Sequence, residues 1–137
     1  MNFETISRFH FKPIEKEMRS FQETFRINAH NISMTKAMYE RMEKPEHLLF
    51  AYDAEERAVG IKIVGDNESN SVSVQEKGRS PYVNNSKYIC EKIASEMQVD
   101  LESKSIILRR GYRANEWFIF ELRYADIVGR CGRKVKQ

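Results

Sequence analysis

The stretch FRINAHNISMTKAMYERMEKPEHLLFAYDAEERAVGIKIV, Phe25 to Val64, changes its apolar period several times, and the order of those changes sets the expected architecture. Phe25, Ile27 and Ala29 alternate with polar residues, and after a shift the alternation resumes at Ile32 and Met34. This predicts one strand with a bend near His30–Asn31. Thr35 stands where an N-cap belongs, ahead of Ala37, Met38 and Met42 at helical spacing, and Pro45 ends the helix after about two turns. Leu48, Phe50 and Tyr52 then alternate, a turn follows at Glu55–Glu56, and Val59, Ile61 and Ile63 alternate again, the signature of a hairpin. The unit reads strand, short helix, hairpin.

GDNESNS, Gly65 to Ser71, has no apolar residue and predicts a surface loop, with a short strand at Val72–Gln75 behind it. Beyond Pro81 the same order recurs. Tyr82–Val83 is extended, and Asn85 or Ser86 caps a helix whose stripe is Ile89, Ile93, Ala94 and Met97. KSIILRRGYR and EWFIFELRY then form a hairpin across Ala114–Asn115. Residues 25–64 and 81–124 are therefore expected to be two tandem β-α-β-β units forming one α+β domain of residues 1–137. Its expected core includes Phe50, Ile61, Ile93, Ile107, Trp117 and Ile119. Residues 1–24, with Phe3, Ile6, Phe9 and Phe11, are expected to pack on this body as an extra edge strand, and residues 125–137 form a basic tail.

A chain of 137 residues is long enough to bury a core without disulfides or metal. A mean hydropathy of −0.62 and the absence of any apolar run near the roughly 20 residues of a membrane helix predict a cytoplasmic protein. Cys90 reads as a small core residue, and Cys131 lies too far away in sequence for a local zinc knuckle. His10, His30 and His47 are isolated, no phosphate-binding glycine loop occurs, and the paired acids Glu55–Glu56 fall in a turn with no second carboxylate cluster to partner them in acid–base chemistry. No enzymatic machinery and no cofactor or metal are expected.

Charge carries more content. The net charge of +3 is unevenly divided: residues 1–78 hold 11 Lys/Arg against 13 Asp/Glu, and residues 79–137 hold 12 against 7. Arg109, Arg110, Tyr112 and Arg113 fall at a predicted hairpin tip, Arg123 on the last strand, and Arg130, Arg133, Lys134 and Lys136 in the tail. Arginines on a β-ribbon can track phosphates, with the tyrosine stacking or hydrogen-bonding beside them. The chain is thus expected to be a non-catalytic regulator that contacts nucleic acid through its second half.

The first unit, RINAHNISMTKAMYERMEKPEHLLFAYDAEERAVGIKI, also resembles the swapped-hairpin unit of AbrB- and MazE-type DNA-binding regulators over about 40 residues. That resemblance implies dimerisation through interleaved β-α-β-β units and DNA contact by basic residues near the first strand and loop. Ile32–Ser33 stand in place of the family's hydrophobic-Pro pair, with Lys36 and Arg41 in place of an early helical arginine. In its IS…KA to GIKI phrasing the chain is also similar to small proteins of phages and mobile elements. That similarity supplies an alternative: a protein that inhibits a host defence protein, as an anti-CRISPR does, by binding it directly.

Overall fold

The computed structural model describes residues 10, 22–76, 78 and 80–129. The expected edge strand of the N-terminal segment and the basic tail residues Arg130, Arg133, Lys134 and Lys136 lie outside them, as does Cys131.

Among the described residues ten strands and two helices occur in chain order: β1 Phe25–Ile27, β2 Ile32–Met34, α1 Lys36–Arg41, β3 His47–Asp53, β4 Ala58–Ile63, β5 Val72–Gln75, β6 Tyr82–Val83, α2 Lys87–Met97, β7 Lys104–Leu108, β8 Tyr112–Ala114, β9 Trp117–Glu121 and, after a 3₁₀ turn at Leu122–Tyr124, β10 Asp126–Gly129. All pairings are antiparallel, in the order β10-β7-β1-β2-β6-β5-β3-β4-β9-β8. The result is a mostly β protein, one long sheet curled into a half-barrel, rather than two β-α-β-β units of an α+β domain.

The reason lies in strand partners that no local pattern specifies. Ile27 and Ile32 are an odd number of residues apart, so a single strand would send them to opposite faces. The chain instead reverses: Asn28 N–H donates to Asn31 C=O at 3.0 Å, and β1 pairs with β2 so that Ile27 faces Ile32. The predicted bent strand is therefore a hairpin, which puts Phe25, Ile27, Ile32 and Met34 all on the core side. β2 next pairs with β6, and β3 with β4 and β5, so the segments on either side of α1 join different halves of the sheet. The second expected unit is divided likewise. β7 pairs with β1 and β10, and the true hairpin is β8–β9, turned at Asn115–Glu116.

β5 joins the two halves. Val72 and Ser73 pair with Leu48 and His47 of β3, whereas Val74 and Gln75 pair with Val83 and Tyr82 of β6. One cross-strand row, Val74–Val83–Ile32–Ile27–Ile106–Ile127, is wholly aliphatic, and its four middle members are buried. Each of those side chains contributes about 1.5–3 kcal/mol relative to exposure. A one-residue slip would turn all of them outward, so the register is strongly specified. Curling brings Phe25 against Phe120, an edge-on contact with centroids 5.5 Å apart, and against Phe50 at 6.1 Å. One apolar cluster results.

Strand parity also corrects the expected core. Phe50, Ile61 and Ile93 belong to it, but Ile107, Trp117 and Ile119 sit on outer faces, and Ile106, Leu108, Phe118 and Phe120 are buried in their stead. The helices follow their sequence signals more closely. Thr35 Oγ1 accepts from Met38 N–H at 3.1 Å, capping α1, whose Met38 is buried. α2 buries Ile89, Cys90, Ile93 and Ala94. Ser86, completely buried at its start, uses its hydroxyl differently from a cap: it accepts from Ile32 N–H at 3.1 Å and donates to Val83 C=O at 3.0 Å, tying α2 to β2 and β6. At the other end of α2, Arg57 donates to Glu96 C=O at 3.1 Å, joining it to the β3–β4 turn.

Candidate functional site

Outer-facing residues of the β10-to-β5 half form a second cross-strand row: Gln75, Tyr82, Ser33, Arg26, Ile107 and Asp126. Arg26 is at its centre because β1 is Phe-Arg-Ile, with both apolar neighbours committed to the core. Ser33, Arg26, Ile107 and Asp126 of this row line an open cleft of about 900 Å³, together with Glu23, Arg41, Arg109 and Arg110, while Tyr82 and Gln75 continue the row beyond it.

Four arginines from three parts of the chain thus converge on one surface. Arg109, Arg110 and Gly111 form the crossover that carries the chain from β7 in one half to β8 in the other, so the first two are not at a hairpin tip. Gly111 is required there, since a Cβ would come within 2.5 Å of the buried Phe120 ring. Arg110, before it, has φ of 55°, a left-handed conformation that costs a branched or bulky L-residue about 1–2 kcal/mol. Arg41 closes the cleft from α1, with Nη1 3.4 Å from Gly111 C=O and its guanidinium over the Phe118 ring at 5.5 Å.

The charges are only partly compensated. Arg109 Nη1 is 2.6 Å from Asp126 Oδ2, and Arg41 Nε is 3.0 Å from Glu23 Oε2. Both pairs are solvent-exposed, so their net contribution to stability is small, about 0–1 kcal/mol. Among the described residues lining the cleft, four guanidinium groups against two carboxylates leave a positive excess. Arg26 donates to Asn28 Oδ1 at 3.2 Å, and Arg110 lies over the Tyr124 ring at 5.1 Å, so among the described residues neither faces a carboxylate within ion-pair distance.

The other expected contacts are dispersed. Arg123 lies over the same Tyr124 ring as Arg110, at 4.7 Å, and pairs with Glu121 at 3.1 Å, but it does not line the cleft. Arg113 lies over Phe118 at 5.5 Å and donates to Asn115 C=O. Tyr112, 46% exposed, belongs to the outer row of β8 with Ile119. Of the sequence candidates, the structure brings Arg109 and Arg110 together and adds Arg41, noted in the sequence only beside Lys36 in the family resemblance, and Arg26, which its isolated position between Phe25 and Ile27 had concealed.

Shifted titrations lie elsewhere. Burial pushes the Cys90 thiol up to about 11, which makes it an unreactive core group. Tyr39 is raised by burial and by Glu76, whose Oε2 its hydroxyl approaches at 3.4 Å. Lys92 and Glu96, 2.8 Å apart on α2, hold each other's charged forms, raising the lysine and lowering the carboxyl. Among the described residues no group of three or more His, Cys, Asp or Glu is arranged to hold a metal, and no helix is long and apolar enough to cross a membrane. No protein-family model, curated protein or solved structure matches the chain.

Proposed function

We propose that the protein is a non-catalytic nucleic-acid-binding protein that holds phosphates in the cleft lined by Arg26, Arg41, Arg109 and Arg110. The observation that carries this reading is the convergence of four arginines on one sheet face where, among the described residues, two carboxylates, Glu23 and Asp126, line the cleft with them. Guanidinium groups present several donors in a fixed fork that matches phosphate oxygens, and the exposed Arg109–Asp126 and Arg41–Glu23 pairs cost little to exchange for phosphate. Such contacts give affinity that falls with salt and carry no sequence information of their own. Regulation by occupancy of a nucleic-acid segment is the role this chemistry suits. The test is retention on heparin and a mobility shift with labelled oligonucleotides, measured for the wild type and for Arg26→Ala/Arg110→Ala. Salt-sensitive binding lost in the double variant is expected, and equal binding by both proteins rules the cleft out.

A second reading, direct binding to a host protein, is favoured by the outer face of β3-β4-β9-β8. There Trp117 lies across Gly60, whose absent Cβ would sit 3.0 Å from the ring, beside half-buried Leu49 and Ile119 and exposed Tyr112. A nuclease-resistant stoichiometric complex lost in Trp117→Ala, with the arginine variants unaffected, would favour it over the first.

A further inference from the structure

Resting on the nucleic-acid reading, we infer that the strand bound is single-stranded, with an unpaired base stacked on Tyr82 while its flanking phosphates reach Arg26, Arg109 and Arg110. The row on the sheet face provides the argument. Tyr82 is directly opposite Ser33, and Ser33 directly opposite Arg26, so ring, hydroxyl and guanidinium point the same way. With neighbouring strands about 4.8 Å apart, Tyr82 and Arg26 are separated by two spacings, about 10 Å.

Tyr82 is half-buried, which holds the ring in place, and its neighbour Val83 is fully buried and anchors the strand. Among the described residues its ring has no aromatic or cationic partner and its hydroxyl no hydrogen bond. The Ser33 hydroxyl and the Gln75 amide, on either side of it in the row, are likewise without side-chain partners there and can meet a base edge.

A duplex cannot use this arrangement. Its base faces are stacked inside, so Tyr82 would be left without a ring to cover. The exposed turn between β3 and β4 carries the acids Glu55 and Glu56, which repel phosphates, and Glu116 between β8 and β9 is paired with Lys62 at 3.1 Å.

Fluorescence anisotropy of the full chain tests this, using a labelled 12-nucleotide single strand of mixed sequence and the duplex of the same sequence. The single strand is expected to bind at least about tenfold more tightly. Tyr82→Ala should weaken that binding about 5- to 100-fold, the loss of one stacked base, while Tyr82→Phe retains it and duplex binding stays unchanged. Circular dichroism of the two variants excludes unfolding as the cause. Duplex binding equal to or tighter than single-strand binding overturns the inference, as does a folded Tyr82→Ala that binds the single strand like wild type; in either case the cleft reading survives if Arg26→Ala/Arg110→Ala still loses affinity. Binding of neither nucleic acid overturns both.

Discussion

Replacing Gly111 by alanine tests the crossover that places Arg109 and Arg110. An added Cβ would lie 2.5 Å from Phe120 Cε1, 2.6 Å from Cζ and 3.0 Å from Cδ1. Ordinary carbon contacts begin near 3.5 Å, so ring and backbone must separate by about 1 Å. The ring has no room to yield. Phe120 is fully buried and edge-on to Phe25, itself fully buried between β2 and β7. Overpacking of this kind costs about 1–3 kcal/mol. With a urea slope of about 2 kcal/mol/M, the unfolding midpoint should fall by about 0.5–1.5 M at unchanged slope. The same displacement moves Arg109 and Arg110, so oligonucleotide affinity should fall with stability. Gly65→Ala is the control, because its Cβ meets only the movable end of Asn67 at 3.1 Å, and a change within about 0.5 kcal/mol is expected. If Gly111→Ala matches that control, the crossover does not rest on Phe120 and the position assigned to both arginines is wrong.

Further outcomes follow from the same contacts. Ser86→Ala leaves the Ile32 N–H and the Val83 C=O without their buried partner and should destabilise by about 1–3 kcal/mol, read by denaturant unfolding; a loss under about 0.5 kcal/mol would remove the tie between α2 and β2. Thr35→Ala removes the α1 cap and should cost about 1 kcal/mol in the same assay. The Cys90 thiol titrates at about 11 in the fold against an ordinary 9.0, so the unfolded chain ionises first. Its contribution is complete below pH 9 and is lost as pH rises towards 11. The stability advantage of Cys131→Ser over Cys131→Ser/Cys90→Ala should accordingly shrink between pH 8.5 and 10.5; a constant difference would show that Cys90 is not held as a buried thiol.

Much of the local structure was legible. Thr35 and Pro45 bracket α1, the Ile89–Ile93–Ala94 stripe marks α2, and the acidic turn between β3 and β4 appears where Asp53 Oδ1 accepts from the N–H groups of Glu55 and Glu56. These signals act within a few residues. Pairing does not: nothing in VSVQ announces that half of β5 joins β3 and half joins β6, or that β1 will separate β2 from β7. The error in KSIILRRGYR has the same origin, since β7 and β8 belong to different halves and the charged run between them is a crossover. That is why Arg109 and Arg110 were visible as a cluster but misplaced. Arg26 left one faint signal, a charged residue between two apolar ones in a three-residue strand, which requires a face open to solvent.

The surface that meets the ligand can be located directly. A titration of ¹⁵N-labelled protein with the 12-nucleotide single strand, followed by amide chemical shifts, locates it. The expected result is perturbation centred on Arg26, Ser33, Tyr82, Ile107, Arg109 and Arg110, with a salt slope of log Kd that falls by about 1.4 in Arg26→Ala/Arg110→Ala, two phosphate contacts at about 0.7 each. Shifts centred on Leu49, Trp117 and Ile119, or a slope unchanged by the two substitutions, would contradict it.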